Sequence, residues 1–171
     1  QLERLYGVRY SPHDELMLTS GVSEALDIAM RALVDPGDEV LVPEPAYVAY
    51  QPVVLLAGGR YVPVPTEPEH NFVVTAAALE ERITSATKAI LLGYPSNPTG
   101  AVLDRAAMES IARVAEAHDL FVIADELYDR LVYGVEHVCF PSLEGMWDRT
   151  ILLGGFSKAY AMTGWRLGWV A

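Results

Sequence analysis

The stretch Leu120-Phe121-Val122-Ile123-Ala124-Asp125-Glu126-Leu127-Tyr128 decides the fold. Its apolar run shows no polar alternation, the pattern of a strand covered on both faces rather than one with a wet side. It follows Asp104 to Ala117, a helix-period stretch with Asp104 placed as a cap and Met108, Ile111 and Ala115 on one stripe. A buried strand entered from an amphipathic helix belongs to a mostly parallel sheet whose crossovers lie on its faces. Working outward, the same alternation repeats. Further strands are expected at Leu16 to Thr19, Glu39 to Val42, Tyr61 to Val64, Ala89 to Gly93, Thr150 to Leu153 and Leu167 to Ala171. Helices are expected at Val22 to Val34 and, with weaker periodicity, at Ala46 to Leu56 and Thr75 to Ile83. Gly58-Gly59 and Pro65 to His70 read as turns. The expected fold is therefore α/β, a mostly parallel (mixed) sheet of about seven strands with helices on both faces.

The 171 residues carry 12 Lys plus Arg against 23 Asp plus Glu, a formal charge of −11. That balance disfavours a general binder of nucleic acid or of anionic membranes, though not a small anion held in a locally positive pocket. Apolar residues at 51% and charged ones at 20% describe a core-forming chain. The single cysteine, Cys139, cannot form an internal disulfide, and the four histidines show no metal-ligand spacing, so no metal is expected. No apolar run reaches about 18 residues, the length of a membrane span. The first residues have no starting Met and no signal-peptide pattern, and the last ones read as an interrupted strand; a segment of a longer, cytoplasmic protein is expected.

Open α/β sheets bind ligands beyond the carboxyl ends of their strands. After the first strand, Thr19-Ser20-Gly21-Val22-Ser23-Glu24 runs into a helix, a small-residue start that suits a phosphate. After the fourth, Tyr94-Pro95-Ser96-Asn97-Pro98-Thr99-Gly100 places the Asn97 amide at a strand end, beside X-Pro bonds of the kind that adopt cis. After the fifth, Asp125 sits at the edge of the core, where a carboxylate needs a donor or a cation to remain ionised. After the sixth, Gly154-Gly155-Phe156-Ser157-Lys158 carries a lysine that burial would turn into a nucleophile, with the forked donor Arg166 eight residues on. Each has an ordinary reading by itself: a cap, a turn, a second cap, a solvated lysine. Together they supply a phosphate cradle, an amide, an acid, an amine and a guanidinium.

Gly21-Val22-Ser23-Glu24-Ala25, Pro45-Ala46-Tyr47, Ser96-Asn97-Pro98-Thr99-Gly100, Asp125-Glu126-Leu127-Tyr128 and Ser157-Lys158 with Arg166 resemble, in order and spacing, the class I/II aminotransferases of the aspartate aminotransferase fold (fold type I). The resemblance runs from near Leu16 to the last residue. It implies a pyridoxal 5'-phosphate (PLP) enzyme moving an amino group between an L-amino acid and a 2-oxo acid. By the resemblance, Lys158 forms the internal aldimine and then moves the proton, Asp125 pairs with the pyridine nitrogen, and Asn97 and Tyr128 bond the phenolic oxygen. Lys158, Asp125 and Tyr128 form the catalytic set. Tyr47 stacks on the ring, and Gly21, Val22 and Ser23 with Ser157 and Arg166 hold the phosphate. Two positions depart from the pattern: Gly155 stands where some members carry a phosphate-binding Ser, and Val22 where some carry Thr. Residues 1–171 then read as a partial large domain, without the N-terminal segment or the small domain that carries the substrate-carboxylate Arg. A homodimer is implied for the full-length protein.

Other readings share these motifs. A C–S lyase, decarboxylase or synthase uses the same cofactor and fold, and some regulators carry such a domain only to sense PLP. A nicotinamide enzyme is disfavoured, since no G-x-G-x-x-G occurs; neither a P-loop nor a G-x-S-x-G elbow is present.

Overall fold

A computed structural model describes residues 1–171. Seven strands form one sheet in the order β1-β7-β6-β5-β4-β2-β3. β2 (Glu39–Glu44), β3 (Arg60–Pro65), β4 (Thr87–Leu92), β5 (Phe121–Asp125) and β6 (Thr150–Gly155) pair in parallel. β7 (Gly168–Val170) runs antiparallel between β6 and β1 (Met17–Thr19), making the sheet mixed at one edge. The middles of the inner parallel strands are apolar because each points successive residues at two different cores. Leu41, Ile90, Leu92, Val122, Ala124 and Leu152 face one core. Val40, Val42, Ala89, Leu91, Ile123 and Leu153 face the other.

Helices α4 (Ala76–Glu80) and α5 (Arg105–Ala117) cover the first core through Leu79, Met108, Ile111 and Ala115. Helices α2 (Val22–Leu33) and α3 (Tyr50–Leu56) cover the second through Leu26, Met30, Tyr50 and Val54. Asp104 caps α5 as expected: its Oδ1 accepts the Ala107 N–H at 2.8 Å. Thr75 caps α4 in the same way, accepting from Ala78 N at 3.2 Å.

Several boundaries differ from the sequence expectation. α3 starts at Tyr50, not Ala46, which puts Pro52 in the first turn, where a missing N–H costs nothing. A helix begun at Ala46 would have held Pro52 in its interior. α4 stops at Glu80 because the chain tightens to i→i−3 bonds, Arg82 N to Leu79 O and Ile83 N to Glu80 O. A short helix, α1 (Leu2–Tyr6), closed by Gly7 at φ 71°, has no counterpart in the expectation. No helix is long and apolar enough to cross a membrane.

Consecutive strands run outward from β2 to β3, then return beyond β2 to β4, β5 and β6. The carboxyl ends of β2, β4, β5 and β6 therefore surround the crevice where the winding reverses, the place such sheets bind ligands.

Candidate active site

A cavity of about 260 Å³ opens at those strand ends. It is lined by Val22, Ser23, Tyr47, Asn97, Asp125, Tyr128, Ser157, Lys158 and Arg166, nine of the ten residues singled out from sequence, and Gly21 lies directly against Arg166. Leu26, Tyr50, Pro95, Leu127 and Thr163 complete the wall. A larger cavity of about 510 Å³ lies elsewhere, lined in part by Tyr10, Glu126, Phe156 and Trp169; none of the ten residues faces it.

One side of the cavity is built for an anion. α2 begins at Gly21 with φ 79°, a conformation that favours glycine, and its first N–H groups are free of intrahelical partners. A Cβ on Gly21 would overlap the Arg166 guanidinium. Arg166 itself takes a left-handed backbone, φ 50°, and is fixed by Nη1 to Thr163 O at 3.0 Å and Nη2 to Ser20 O at 3.3 Å. The Glu24 carboxylate turns back onto the Ser20 N–H, which leaves the N–H groups of Val22 and Ser23 for a ligand. Helix terminus and guanidinium thus add their positive potential at one point.

The same cavity carries an acid. Asp125 ends β5, and burial pushes its pKa up, partly offset by hydrogen bonds from Tyr50 and from the Leu127 N–H. Those bonds run from Tyr50 Oη to Oδ2 at 2.8 Å and from Leu127 N to Oδ1 at 3.3 Å. No Lys, Arg or His lies in ion-pair range of Asp125, and the neighbouring Glu126 charge raises its pKa further. A half-buried, partly desolvated carboxylate held only by neutral donors is arranged for a cationic ligand.

The same cavity is lined by Lys158, whose Nζ lies 5.6 Å from the Tyr128 ring centroid, and by half-buried Tyr47. Lys158 is exposed, so the desolvation expected from its place after a buried strand is not supplied by these residues. Asn97 is also exposed, on a turn in which Tyr94-Pro95 and Asn97-Pro98 are both cis. Ser157 is buried. Gly155 places nothing in the cavity: Val22 Cγ2 occupies the space a side chain there would need.

Tyr50 is the contact that motif reading missed. Its sequence signal is an aromatic three residues after Tyr47, at the start of an apolar helix; that spacing alone reads as core, and its ring is indeed buried there.

The doubly covered sheet and its strand-end cavity define an α/β domain in which a helix N-terminus and Arg166 share one cavity with the Asp125 carboxylate. The chain belongs to the aminotransferase class I and II family, whose model matches residues 1–171. It is 50% identical to a putative aminotransferase, YugH, of Bacillus subtilis over 99% of its length and 44% of that protein. It is 44% identical to an aspartate aminotransferase of Pyrococcus abyssi, covering 100% of this chain and 44% of that one. Among solved structures, the aromatic aminotransferase from Pyrococcus horikoshii superposes with a TM-score of 0.97 at 44% identity, over 99% of this chain and 46% of that one. The chain thus spans less than half the length of these relatives.

Proposed function

We propose that these residues form the cofactor-holding part of a PLP-dependent aminotransferase that exchanges an amino group between an L-amino acid and a 2-oxo acid. The observation that carries this reading is Asp125, a half-buried carboxylate without a cation, sharing one cavity with Lys158 and with an anion cradle made by α2 and Arg166. The residues fit the group. Gly21 leaves open the space a Cβ would take from Arg166, where the phosphate belongs, and Asp125 awaits a positive ring nitrogen. The net charge of −11 is no obstacle, because the potential at the helix terminus is local.

Bound there, PLP supplies an aldehyde that condenses with amines and a ring that draws electrons from the substrate α-carbon. The protein residues do the rest. Asp125 keeps the ring nitrogen protonated, which also relieves the cost of its own burial. Val22 and Ser23 N–H groups, Ser157 and Arg166 would hold the phosphate, Asn97 and Tyr128 would bond the phenolic oxygen, and Tyr47 would cover the ring. Lys158 would be the amine that holds the cofactor and, when free, its Nζ would take and return the proton of the substrate α-carbon. Relatives named for aspartate, for aromatic amino acids and for arginine with pyruvate share the transfer and differ in amino acid, which supports transfer as the common chemistry. Two subunits per enzyme are proposed on family grounds.

The test uses the full-length protein. With PLP it should develop an absorption band that borohydride makes permanent, leaving the added mass on the Lys158 peptide. Amino acid plus 2-oxo acid should then yield the two exchanged products in equal amounts. Transfer that survives Lys158→Ala, or an amino acid consumed without transfer to the acceptor, sinks the reading.

A further inference from the structure

The inference rests on the proposed cofactor and concerns Tyr50. Its ring is packed into the core beneath α2 and α3, yet its hydroxyl lies at the cavity wall and donates to Asp125 Oδ2 at 2.8 Å. Its ring meets that of Tyr47 edge to face, with centroids 5.6 Å apart and planes at 84°. Room for the phenol is provided at the end of β4 by Gly93: a Cβ there would overlap the Tyr50 oxygen and crowd its ring carbons. One side chain thus joins the acid that ends β5 to the aromatic platform after β2, through a gap left by the residue after β4.

Burial and the nearby Asp125 charge push the Tyr50 pKa well above that of an ordinary phenol. The hydroxyl is therefore a permanent donor at neutral pH. On the other carboxylate oxygen the Leu127 N–H makes only a long 3.3 Å bond, so Asp125 keeps acceptor capacity for a ligand.

We propose that Tyr50 is the positioning residue of this site: it aims Asp125, fixes Tyr47, and sets how strongly Asp125 competes for the proton on the cofactor ring nitrogen. The hydrogen bond from Tyr50 withdraws charge from the carboxylate, so the shared proton stays on nitrogen. Without the hydroxyl the carboxylate is the stronger base and the proton moves toward it. A tyrosine that merely fills space predicts no such effect, since phenylalanine fills the same space.

The experiment loads the full-length protein with PLP labelled with nitrogen-15 in the ring and reads the nitrogen resonance. Tyr50→Phe should move it toward the unprotonated position, the ratio of protonated to neutral nitrogen falling about tenfold, the effect of one hydrogen bond to a charged group. Placing 3-fluorotyrosine at position 50 keeps the shape and strengthens the donor, so folding is not at issue; the resonance should move the opposite way. A resonance that neither replacement moves, in protein that binds PLP, overturns the inference alone. A parent protein that binds no PLP overturns the proposed function and this inference with it.

Discussion

Val22 Cγ2 stands 2.9 Å from the point where a Cβ on Gly155 would lie. The two departures from the family pattern are therefore one packing arrangement: the valine methyl fills the room a serine at 155 would use. Gly155→Ala should destabilise the protein by about 1–3 kcal/mol through overpacking. Val22→Ala should cost about 2 kcal/mol for its lost methyl groups. Combined, they should cost less than the sum by about 1 kcal/mol, because each relieves the other. The relief is partial, since Leu167 O and Gly168 Cα also stand within 3.3 Å of the added carbon. Urea unfolding of the four proteins measures the coupling, and strictly additive costs would show that the pair does not interact.

Gly21 and Arg166 form the second close approach, and it bears on binding rather than on the core. Gly21→Ala meets both a φ of 79° and the guanidinium. It should displace Arg166 from its bonds to Ser20 O and Thr163 O and weaken PLP binding about ten- to a hundredfold, the loss of one charge-assisted contact. Arg166→Lys should fall in the same range, because a single ammonium cannot span both carbonyls while facing a phosphate. Titration of cofactor-free, full-length protein with PLP decides it; affinity unchanged in both variants would remove Arg166 from the phosphate site.

The loop that carries Asp125 and Tyr128 is held from behind by a buried pair. Glu126 Oε2 lies 2.7 Å from His137 Nε2, and Oε1 accepts the Phe140 N–H at 2.7 Å. His137→Ala leaves a buried carboxylate short of a partner and should cost about 3–5 kcal/mol. Glu126→Gln keeps hydrogen-bonding atoms at both places and should cost about 1–2 kcal/mol. Denaturant midpoints that rank the two variants the other way would mean that His137 is not what satisfies Glu126.

How much of this was legible beforehand depends on the range of the interaction. Asp104 could be read as a cap because a cap involves residues three apart, and Ile90 or Ile123 as core because a strand buried on both faces needs no partner to be recognised. The strand-end rule then located Asn97, Asp125 and Lys158 before any contact was known. Tyr50 to Asp125 spans 75 residues, and Val22 to Gly155 joins different layers, so neither leaves a local pattern. The exposure of Lys158 had two readings for a related reason: a buried strand constrains its own residues, but the turn after it is covered only by what packs there from elsewhere.

The half-buried Asp125 makes a prediction about pH. An Asp whose pKa is raised in the folded state binds its proton more tightly folded than unfolded. The associated stability is fully present below the unfolded value, about 4, and is lost as pH rises through the folded value. Cofactor-free protein should therefore carry a penalty at neutral pH that Asp125→Asn removes, since the amide oxygen still accepts from Tyr50 and bears no charge. The variant should unfold at higher urea than its parent at pH 7, with the gap closing toward pH 4. Saturating PLP should reverse the order, because only the parent gains an ion pair with the ring nitrogen. A variant less stable than its parent at pH 7 without cofactor, or a gap that stays constant down to pH 4, would show that Asp125 carries no unpaired charge in the empty site.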